Sequence, residues 1–369
     1  MVFWSFFTPF KKMDWLLLAI TMLLILFGLV ALYSVSLSLG ESSFLNFKKQ
    51  IIFSLVGLCL LLIAAFLDYK FFKIFSWPLY ALSVLLLIAV LFFGQTIRGT
   101  TGWFSLGWFN IQPVEIAKLA LIVFLARYFS NRSNKIYEVK HILLTGLATG
   151  LLIFLIMLQP DLGSALTLLV IWLVMLLILG IKRSYFLTII LIICLLMVAA
   201  WFLVLHDYQK DRILTFLNPS ADPLETGYNV QQSIIAIGSG QFWGQGLSFG
   251  SQSQLKFLPE SQTDFIFAVI AEELGLIGVA VMLILLTVLF YRLAKGAGQA
   301  RDDFGSLVIM GVIILLASQS FVNIATNLGL VPVTGISLPL VSYGGSSLLI
   351  FMVMIGLVES IIIRRIRRS

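Results

Sequence analysis

A single carboxylate at the start of an apolar run is the residue of this sequence best suited to catalysis. Asp264 opens the stretch DFIFAVIAEELG, where a polar loop gives way to hydrophobic residues. A carboxylate at the boundary of water and lipid can stay ionised at neutral pH and take a proton, as a general base does. The position also suits a helix N-cap formed by Thr263 or by Asp264 itself. The two roles are compatible, and the sequence leaves both open.

Further charged residues lie inside apolar segments. Glu115 and Lys118 are three residues apart in QPVEIAKL, so one helical face would carry both and they would neutralise each other. Charges in a membrane segment are costly and often functional, so a structural ion pair, a substrate contact and direct catalysis all remain open. Glu272 and Glu273 follow Asp264 within the apolar run, and we predict buried acids with hydrogen-bond partners.

Basic residues in the polar segments are candidates for binding an anionic group such as a phosphate. The candidates are Arg98, Arg212 and Lys48. Each of these can also be a solvated or snorkelling charge, and we interpret Lys49 and Lys256 in that way.

The sequence lacks motifs for nucleotide or metal chemistry. His141 and His206 fall on opposite sides of the predicted membrane, so they cannot form a metal-binding pair. There is no G-x-x-x-x-G-K-[ST], and GSGQFWGQG does not fit G-x-G-x-x-G. We therefore predict that this Gly-rich run is a flexible loop without a ligand.

Membrane helices must position these residues. Of the 369 residues, 60% are hydrophobic and 11% are charged, a composition typical of integral membrane proteins. Since about 20 apolar residues cross the bilayer core, we predict an all-α protein with one polytopic membrane domain, residues 1–369, and about ten transmembrane helices. The predicted segments are Leu16–Leu37, Ile51–Leu67, Ser76–Phe93, Pro113–Phe129, Ile142–Leu158, Leu162–Gly180, Tyr185–Leu205, Phe265–Tyr291, Ser306–Leu328 and Ser346–Ile363.

The distribution of basic residues predicts the orientation. With a cytoplasmic N-terminus, inner Lys and Arg residues outnumber outer ones by about three to one. Both termini are then cytoplasmic and Asp264 is at the outer face. The net charge of +7 follows from this topology and does not indicate nucleic-acid binding. Cys59 and Cys194 both lie in apolar segments, where a structural disulfide is not expected.

Three outer segments interrupt the helical pattern. Residues 94–112 are rich in Gly, Trp and Phe; residues 206–263 form one long loop between helices 7 and 8; and residues 330–347 carry two prolines and paired glycines. Non-helical backbone at membrane depth survives only when it is buried in protein or lines a wet cavity. We therefore expect the three segments to converge at the outer face.

Six motifs resemble those of the SEDS family (shape, elongation, division, sporulation) over essentially the full chain. They are QPVEIAKL (112–119), LQPDLGSAL (158–166), HDYQKDRI (206–213), DPLETGYNVQQSIIAIGSG (222–240), SQLKFLPESQTDFIFAVIAEELG (253–275) and LPLVSYGGSS (338–347). The third and fourth favour the elongation branch of the family.

The resemblance implies a ten-helix peptidoglycan glycosyltransferase in the bacterial cytoplasmic membrane. It would polymerise lipid II at the outer face, alongside a class B penicillin-binding protein that crosslinks the strands. The essential acid of the family maps to Asp264, its acidic–basic pair to Glu115 and Lys118, and its loop tryptophan to Trp103.

Three positions depart from the family pattern. Val114 replaces a common Ser, Gly102 stands where a basic residue is frequent, and Lys48 stands where an Arg is common. These changes leave fewer strong phosphate ligands. The predicted contacts to substrate or diphosphate are Arg98, Trp103, Lys48, Arg212 and Ser342.

The expected reaction is glycosyl transfer with inversion, with Asp264 as general base and undecaprenyl diphosphate as leaving group. Cationic side chains or a divalent cation such as Mg²⁺ or Mn²⁺ would neutralise that diphosphate. A lipid II flippase or transporter is the alternative, because broken helices and buried charges also occur in transporters. A non-catalytic scaffold for a penicillin-binding protein is a third interpretation.

Overall fold

The chain folds into a bundle of helices with one small sheet at an end. The computed structural model describes residues 10–39, 41–97, 99–105, 107, 109–132, 138–203, 207–217 and 226–365. The helices are α1 (Trp15–Leu39), α2 (Glu41–Phe66), α3 (Tyr69–Ile74), α4 (Ser76–Phe93), α5 (Pro113–Ser130), α6 (Val139–Met157), α7 (Leu162–Ile178), α8 (Arg183–Leu203), α9 (Asp207–Leu217), α10 (Thr226–Ser239), α11 (Ser251–Gln254), α12 (Ile266–Gly298), α13 (Asp303–Asn327) and α14 (Gly345–Ile363).

Each of the ten predicted segments overlaps one of these helices. Among the described residues, eight helices are long and apolar enough to cross a membrane: α1, α2, α4, α6, α8, α12, α13 and α14. The helix α7 is apolar but has only 17 residues, and α5 carries the three charges Glu115, Lys118 and Arg127. The polytopic helical fold is confirmed, whereas the count of ten crossings and their orientation stay predictions.

The first of the three interrupting segments forms a small sheet, a detail that the sequence analysis does not predict. The strands β1 (Gln95–Ile97), β2 (Thr100–Ser105) and β3 (Asn110–Ile111) form an antiparallel sheet in the order β1-β2-β3. Gln95 pairs with Trp103. The β-branched and aromatic residues of TTGWFS favour a strand.

The helix α5 lies at the centre of the bundle. Nearly all of its side chains are buried, from Pro113 to Phe129. At the other extreme, α8 buries none of its residues. The central position of α5 explains why its charged residues must be compensated inside the protein rather than by water.

Small residues let α2 and α14 pack closely. A Cβ atom at Gly356 would lie 2.3 Å from the Leu61 carbonyl oxygen, and one at Gly345 would lie 2.4 Å from the Phe53 ring. Membrane helices associate through such close contacts, because lipid supplies no hydrophobic driving force between them.

The predicted helix Phe265–Tyr291 is longer than expected and is broken in the middle. It continues to Gly298, and Gly275 has φ 63° and ψ −163°, a conformation open essentially to glycine alone. The Gly-rich segment 240–246 fills the break with backbone hydrogen bonds. From the loop, the Gln245 N–H donates to the Glu272 carbonyl (2.9 Å) and the Gly246 N–H donates to the Glu273 carbonyl (3.0 Å). From the helix, the Leu276 N–H donates to the Gln241 carbonyl (2.9 Å) and the Ile277 N–H donates to the Phe242 carbonyl (3.3 Å).

The Gly-rich run is therefore a structural element and not the flexible loop predicted from its composition. Glycine is required where the two backbones touch: a Cβ atom at Gly240 would lie 1.9 Å from the Ala271 carbonyl oxygen. The inserted segment satisfies the polar groups that a broken helix exposes, as burial within a membrane protein demands.

Candidate active site

Asp264 lies in the turn before α12 rather than within it. The helix begins at Ile266, and its N-cap residue is Phe265, which has no side-chain capping bond. The prediction that Thr263 or Asp264 caps the helix is therefore wrong. The Thr263 hydroxyl instead donates to the Glu260 carboxylate (3.2 Å).

The two carbonyls that precede Asp264 are each held by a residue from LPLVSYGGSS. The Gln262 carbonyl accepts from the Tyr343 N–H (2.9 Å). The Thr263 carbonyl accepts from the Ser342 hydroxyl (2.7 Å), and that same hydroxyl accepts from the Leu338 N–H (2.9 Å). These contacts give the turn a defined position relative to the segment 330–347.

The carbonyl of Asp264 is held from α13. Asn323 and Asn327 both donate from Nδ2 to this oxygen at 2.9 Å. Asn327 also accepts at Oδ1 from the Ala268 N–H (3.2 Å). The Ala268 N–H also donates to the Phe265 carbonyl (3.1 Å), so a side chain from α13 supplies a second acceptor in the first turn of α12, where N–H groups often rely on a local cap. Sequence reasoning missed both asparagines.

The carboxylate of Asp264 is partly exposed and faces the segment 330–347. A Cβ atom at Gly335 would lie 3.9 Å from Asp264 Oδ2. The start of α7 packs on the same segment, since a Cβ atom at Gly163 would lie 2.6 Å from the Thr334 carbonyl oxygen. The motif LQPDLGSAL and the segment 330–347 therefore meet beside Asp264.

The three interrupting segments converge at this end of the bundle, as the sequence predicts. Gln112 donates from its N–H to Ser346 Oγ (3.1 Å) and from Nε2 to Asp161 Oδ2 (3.4 Å). Gln209 of α9 donates to the Pro160 carbonyl (3.3 Å). Residues from all three segments thus contact the motifs that surround Asp264. We call this end of the molecule the Asp264 end.

Glu115 and Lys118 form the ion pair expected from their spacing. Lys118 Nζ lies 2.8 Å from Glu115 Oε1, and both residues are buried. Glu115 is in the first turn of α5, where the helix dipole favours a negative charge. Glu115 Oε2 is buried and has no hydrogen-bond partner among the described residues. A role beyond the ion pair stays a prediction.

Glu272 and Glu273 are buried acids with hydrogen-bond partners, as predicted. Glu272 Oε1 accepts from the Gln252 N–H (2.7 Å), and Oε2 accepts from the Ser253 N–H (3.0 Å). Glu273 Oε1 accepts from Ser34 Oγ of α1 (2.5 Å) and from Gln254 Nε2 of α11 (3.2 Å). These acids attach the long loop to α12.

The structure places four of the five predicted substrate contacts. Arg98 lies outside the described residues. Trp103 is partly buried on β2, and Arg212 is partly buried on α9. Lys48 is exposed on α2 above the Phe44 ring, 5.1 Å from its centroid. Ser342 is buried, and its hydroxyl holds the turn before Asp264. Contact of any of them with substrate stays a prediction.

Lys48 is close in sequence to two residues of α2 that contact the turn before α12 and the segment 330–347. Asn46, two residues earlier on α2, donates from Nδ2 to Gln262 Oε1 (2.9 Å). Gln50, two residues later, donates to the Ser342 carbonyl (3.2 Å) and accepts from the Gly344 N–H (3.3 Å). The helix α2 thus brings a cation to the Asp264 end, and cations of this kind suit a phosphate.

A second charged cluster, which sequence reasoning missed, lies at the opposite end of the bundle. The Arg292 Nε donates to Asp14 Oδ2 (2.9 Å), and the Asp14 N–H donates to Glu359 Oε2 (3.0 Å). Arg364 donates to the Phe66 carbonyl (2.9 Å) at the end of α2. These contacts join the ends of four helices.

A bundle of long apolar helices with a partly exposed carboxylate among converging polar segments defines a polytopic membrane protein with a candidate active site at one membrane surface. The sequence profile of the family described as "Cell cycle protein", which covers FtsW, RodA and SpoVE, matches residues 14–366. The chain belongs to this family.

Similar proteins come from several branches of the family. "Peptidoglycan glycosyltransferase MrdB" of Escherichia coli K12 is 37% identical over 96% of each chain. "Stage V sporulation protein E" of Bacillus subtilis is 38% identical over 94% of this chain and 96% of the relative. A "Probable peptidoglycan glycosyltransferase FtsW" of Trichlorobacter lovleyi is 37% identical over 96% of this chain and 94% of the relative. Overall identity thus does not separate the branches.

Solved structures share the fold. A chain described under "Structural coordination of polymerization and crosslinking by a peptidoglycan synthase complex" matches with a TM-score of 0.80 and 32% identity, covering 95% of this chain and 97% of that one. Rod shape determining protein RodA of Thermus thermophilus matches with a TM-score of 0.72 and 30% identity, covering 96% of this chain and 97% of that one.

Proposed function

We propose that the chain is a peptidoglycan glycosyltransferase that polymerises lipid II during cell elongation. Family membership and the names of the relatives support this class of activity. The observation that carries the proposal is the placement of Asp264: its turn is held by α13, α2 and the segment 330–347, and its carboxylate faces that segment at Gly335.

In the proposed reaction, Asp264 acts as general base. The 4-hydroxyl of a GlcNAc acceptor is a poor nucleophile until a base within hydrogen-bond reach takes its proton. The oxygen then attacks the anomeric carbon of the donor MurNAc with inversion, and the bond to undecaprenyl diphosphate breaks. The leaving diphosphate needs charge stabilisation rather than a proton. Lys48, Arg212 and Arg98 are the proposed cations.

The described residues of the chain do not make a closed metal site. Across the part of the chain that the structure describes, no group of three or more His, Cys, Asp or Glu side chains is placed to hold a metal ion. Mg²⁺ is typically held by one or two carboxylates together with substrate phosphates. We therefore derive no step through a divalent cation; titration of Mg²⁺ and Mn²⁺ against a chelator during polymerisation tests its involvement.

We propose that the enzyme acts at the outer face of the bacterial cytoplasmic membrane with a class B penicillin-binding protein as its partner. The charge bias of the sequence supports this orientation. The similar chain from a peptidoglycan synthase complex supports a crosslinking partner, since that complex coordinates polymerisation and crosslinking.

The broken helix α12 is the feature that fits the alternative of a lipid II flippase. Transporters bind substrates and ions at the free backbone groups of discontinuous helices. At Gly275, however, the groups freed by the break bond to the inserted segment 240–246. The break is therefore a packing feature rather than an ion site, which favours the enzyme.

The proposal is tested with purified protein and lipid II in detergent, where no compartments exist. Asp264→Asn keeps the size of the side chain and removes the base. We expect it to abolish polymer on a gel while leaving protein yield and partner binding unchanged. Glu260→Gln, an exposed acid in the same turn, is the matched control and keeps activity. Polymerisation by Asp264→Asn at the normal rate contradicts the assignment of the base.

A further inference from the structure

We infer that Asn323 and Asn327 are positioning residues that set the location of the Asp264 carboxylate. The inference rests on the proposed function, in which Asp264 is the base. Each asparagine donates from Nδ2 to the Asp264 carbonyl oxygen at 2.9 Å. They are 1% and 0% exposed, so water does not compete for these donors.

The helix α13 presents both amides to the same oxygen because they are four residues apart. Residues at this spacing lie one above the other on one helical face. One carbonyl oxygen has two lone pairs, and these two donors use both. The Asp264 carbonyl is therefore held by two donors, and both come from α13.

Each asparagine also ties the turn to another part of the site. Asn323 Nδ2 lies 2.8 Å from the Ile336 carbonyl oxygen, next to Gly335, which faces the Asp264 carboxylate. Asn327 accepts at Oδ1 from the Ala268 N–H and at its carbonyl from the Ser233 hydroxyl (2.9 Å). Together they fix the turn relative to the segment 330–347, the start of α12 and α10.

External support is needed because Asp264 precedes the helix. The hydrogen-bond ladder of α12 starts after this residue, so the ladder alone does not hold the turn. A general base must stay within about 2.6–3.2 Å of the proton it takes, and a misplacement of about 1 Å costs about 100-fold in rate. Ser342 belongs to the same group of positioning residues, since its hydroxyl holds the Thr263 carbonyl.

The test compares Asn323→Ala, Asn327→Ala and the double variant in polymerisation from purified lipid II. Each single variant leaves one amide on the Asp264 carbonyl, and the double variant leaves none. We expect kcat to fall about 10-fold in each single variant and about 100-fold in the double variant. KM stays within about twofold, because the interaction supports the transition state and not substrate binding.

Ser318→Ala is the matched control on the same helix. Its hydroxyl bonds to the Leu315 carbonyl within α13, and the variant is expected to keep the wild-type kcat. Amide-hydrogen exchange gives a second measurement: Asn327→Ala should speed exchange at Ala268, whose N–H loses one of its two acceptors and keeps only the Phe265 carbonyl (3.1 Å), without a general rise across α13.

The outcomes separate this inference from the proposed function. If Asp264→Asn is inactive but the double variant keeps its kcat, the positioning role is wrong and the base assignment stands. A raised KM with unchanged kcat also overturns it, because the amides would then bind substrate. If the double variant does not fold, the single variants decide: two unchanged kcat values overturn the inference. If Asp264→Asn is fully active, the proposed function itself fails.

Discussion

The ion pair of Glu115 and Lys118 is a buried contact whose structural and functional roles can be separated by experiment. Both residues are buried in the central helix α5, where each charge depends on the other. Removing one partner of a buried pair leaves an uncompensated charge, whereas replacing both with apolar or neutral groups of similar volume is often tolerated.

Lys118→Met is therefore expected to destabilise the fold by about 3–5 kcal/mol, because it leaves the buried Glu115 carboxylate without a countercharge. The double variant Glu115→Gln with Lys118→Met should recover most of this loss. Thermal unfolding of the purified protein in detergent measures both effects.

Polymerisation by the double variant then separates the interpretations left open by the sequence. Recovery of both stability and activity makes the pair structural. Recovery of stability without activity shows that the charges act on the substrate. A single variant as stable as the wild type contradicts the pairing itself.

Individual charges in apolar runs were predictable, and their neutral supports were not. Asp264 and the pair in QPVEIAKL stand out because a charge in a membrane segment is costly. Asn323 and Asn327 carry no such signal: they are two polar residues in a moderately apolar helix, and their partner is a backbone carbonyl about sixty residues away. Backbone acceptors are absent from a sequence pattern, so this contact appears only in the fold.

Among the secondary-structure elements, α12 differs most from its prediction. Both halves of the helix are apolar, so hydrophobic periodicity continues unchanged across the break. An isolated glycine in a helical pattern is usually tolerated, and Gly275 gave no stronger signal than that. The partner segment 240–246 reads as a loop because it is rich in glycine.

The break makes a sharp prediction for glycine substitutions. Gly275→Ala and Gly244→Ala are expected to destabilise the protein by at least about 1–3 kcal/mol each. Both residues have positive φ, and a Cβ atom at Gly244 would lie 2.1 Å from the Glu273 carbonyl oxygen.

Gly238→Ala is the control for these variants. This glycine is in α10 and would place its Cβ in open space. Alanine is favoured over glycine in a helix by about 0.5–1 kcal/mol, so this variant should be neutral or slightly more stable. Unfolding temperatures in detergent compare the three variants. Equal stability of Gly244→Ala and Gly238→Ala would contradict the insertion of the loop into the helix break.

For the molecule as a whole, the membrane segments could be located from composition, and their contacts could not. Long apolar runs predict helices because only helices or closed barrels satisfy backbone groups in lipid. The pattern does not say that α5 is central and α8 peripheral, because a long apolar run is equally expected of a helix that faces lipid and of one that faces other helices. Contacts such as Asp14 with Glu359 join residues at opposite ends of the chain, and nothing local predicts them.

The orientation of the molecule is the prediction on which the outer-face reaction depends. Beyond the break at Gly275, residues 276–298 of the helix α12 alone are about 35 Å long, which exceeds the bilayer core of about 30 Å. The two ends of the helix therefore reach opposite sides. The Asp264 turn is at one end, and Lys295 is in the last turn at the other.

Labelling with a membrane-impermeant maleimide tests this orientation in right-side-out spheroplasts. The native Cys59 and Cys194 are first replaced by alanine, and single cysteines are introduced as Ser251→Cys and Gly298→Cys, both at exposed positions. We expect Ser251→Cys to react in intact spheroplasts and Gly298→Cys only after permeabilisation. The reverse pattern would place Asp264 in the cytoplasm, where a strand made by this enzyme would grow on the wrong side of the membrane, and the outer-face mechanism would fail.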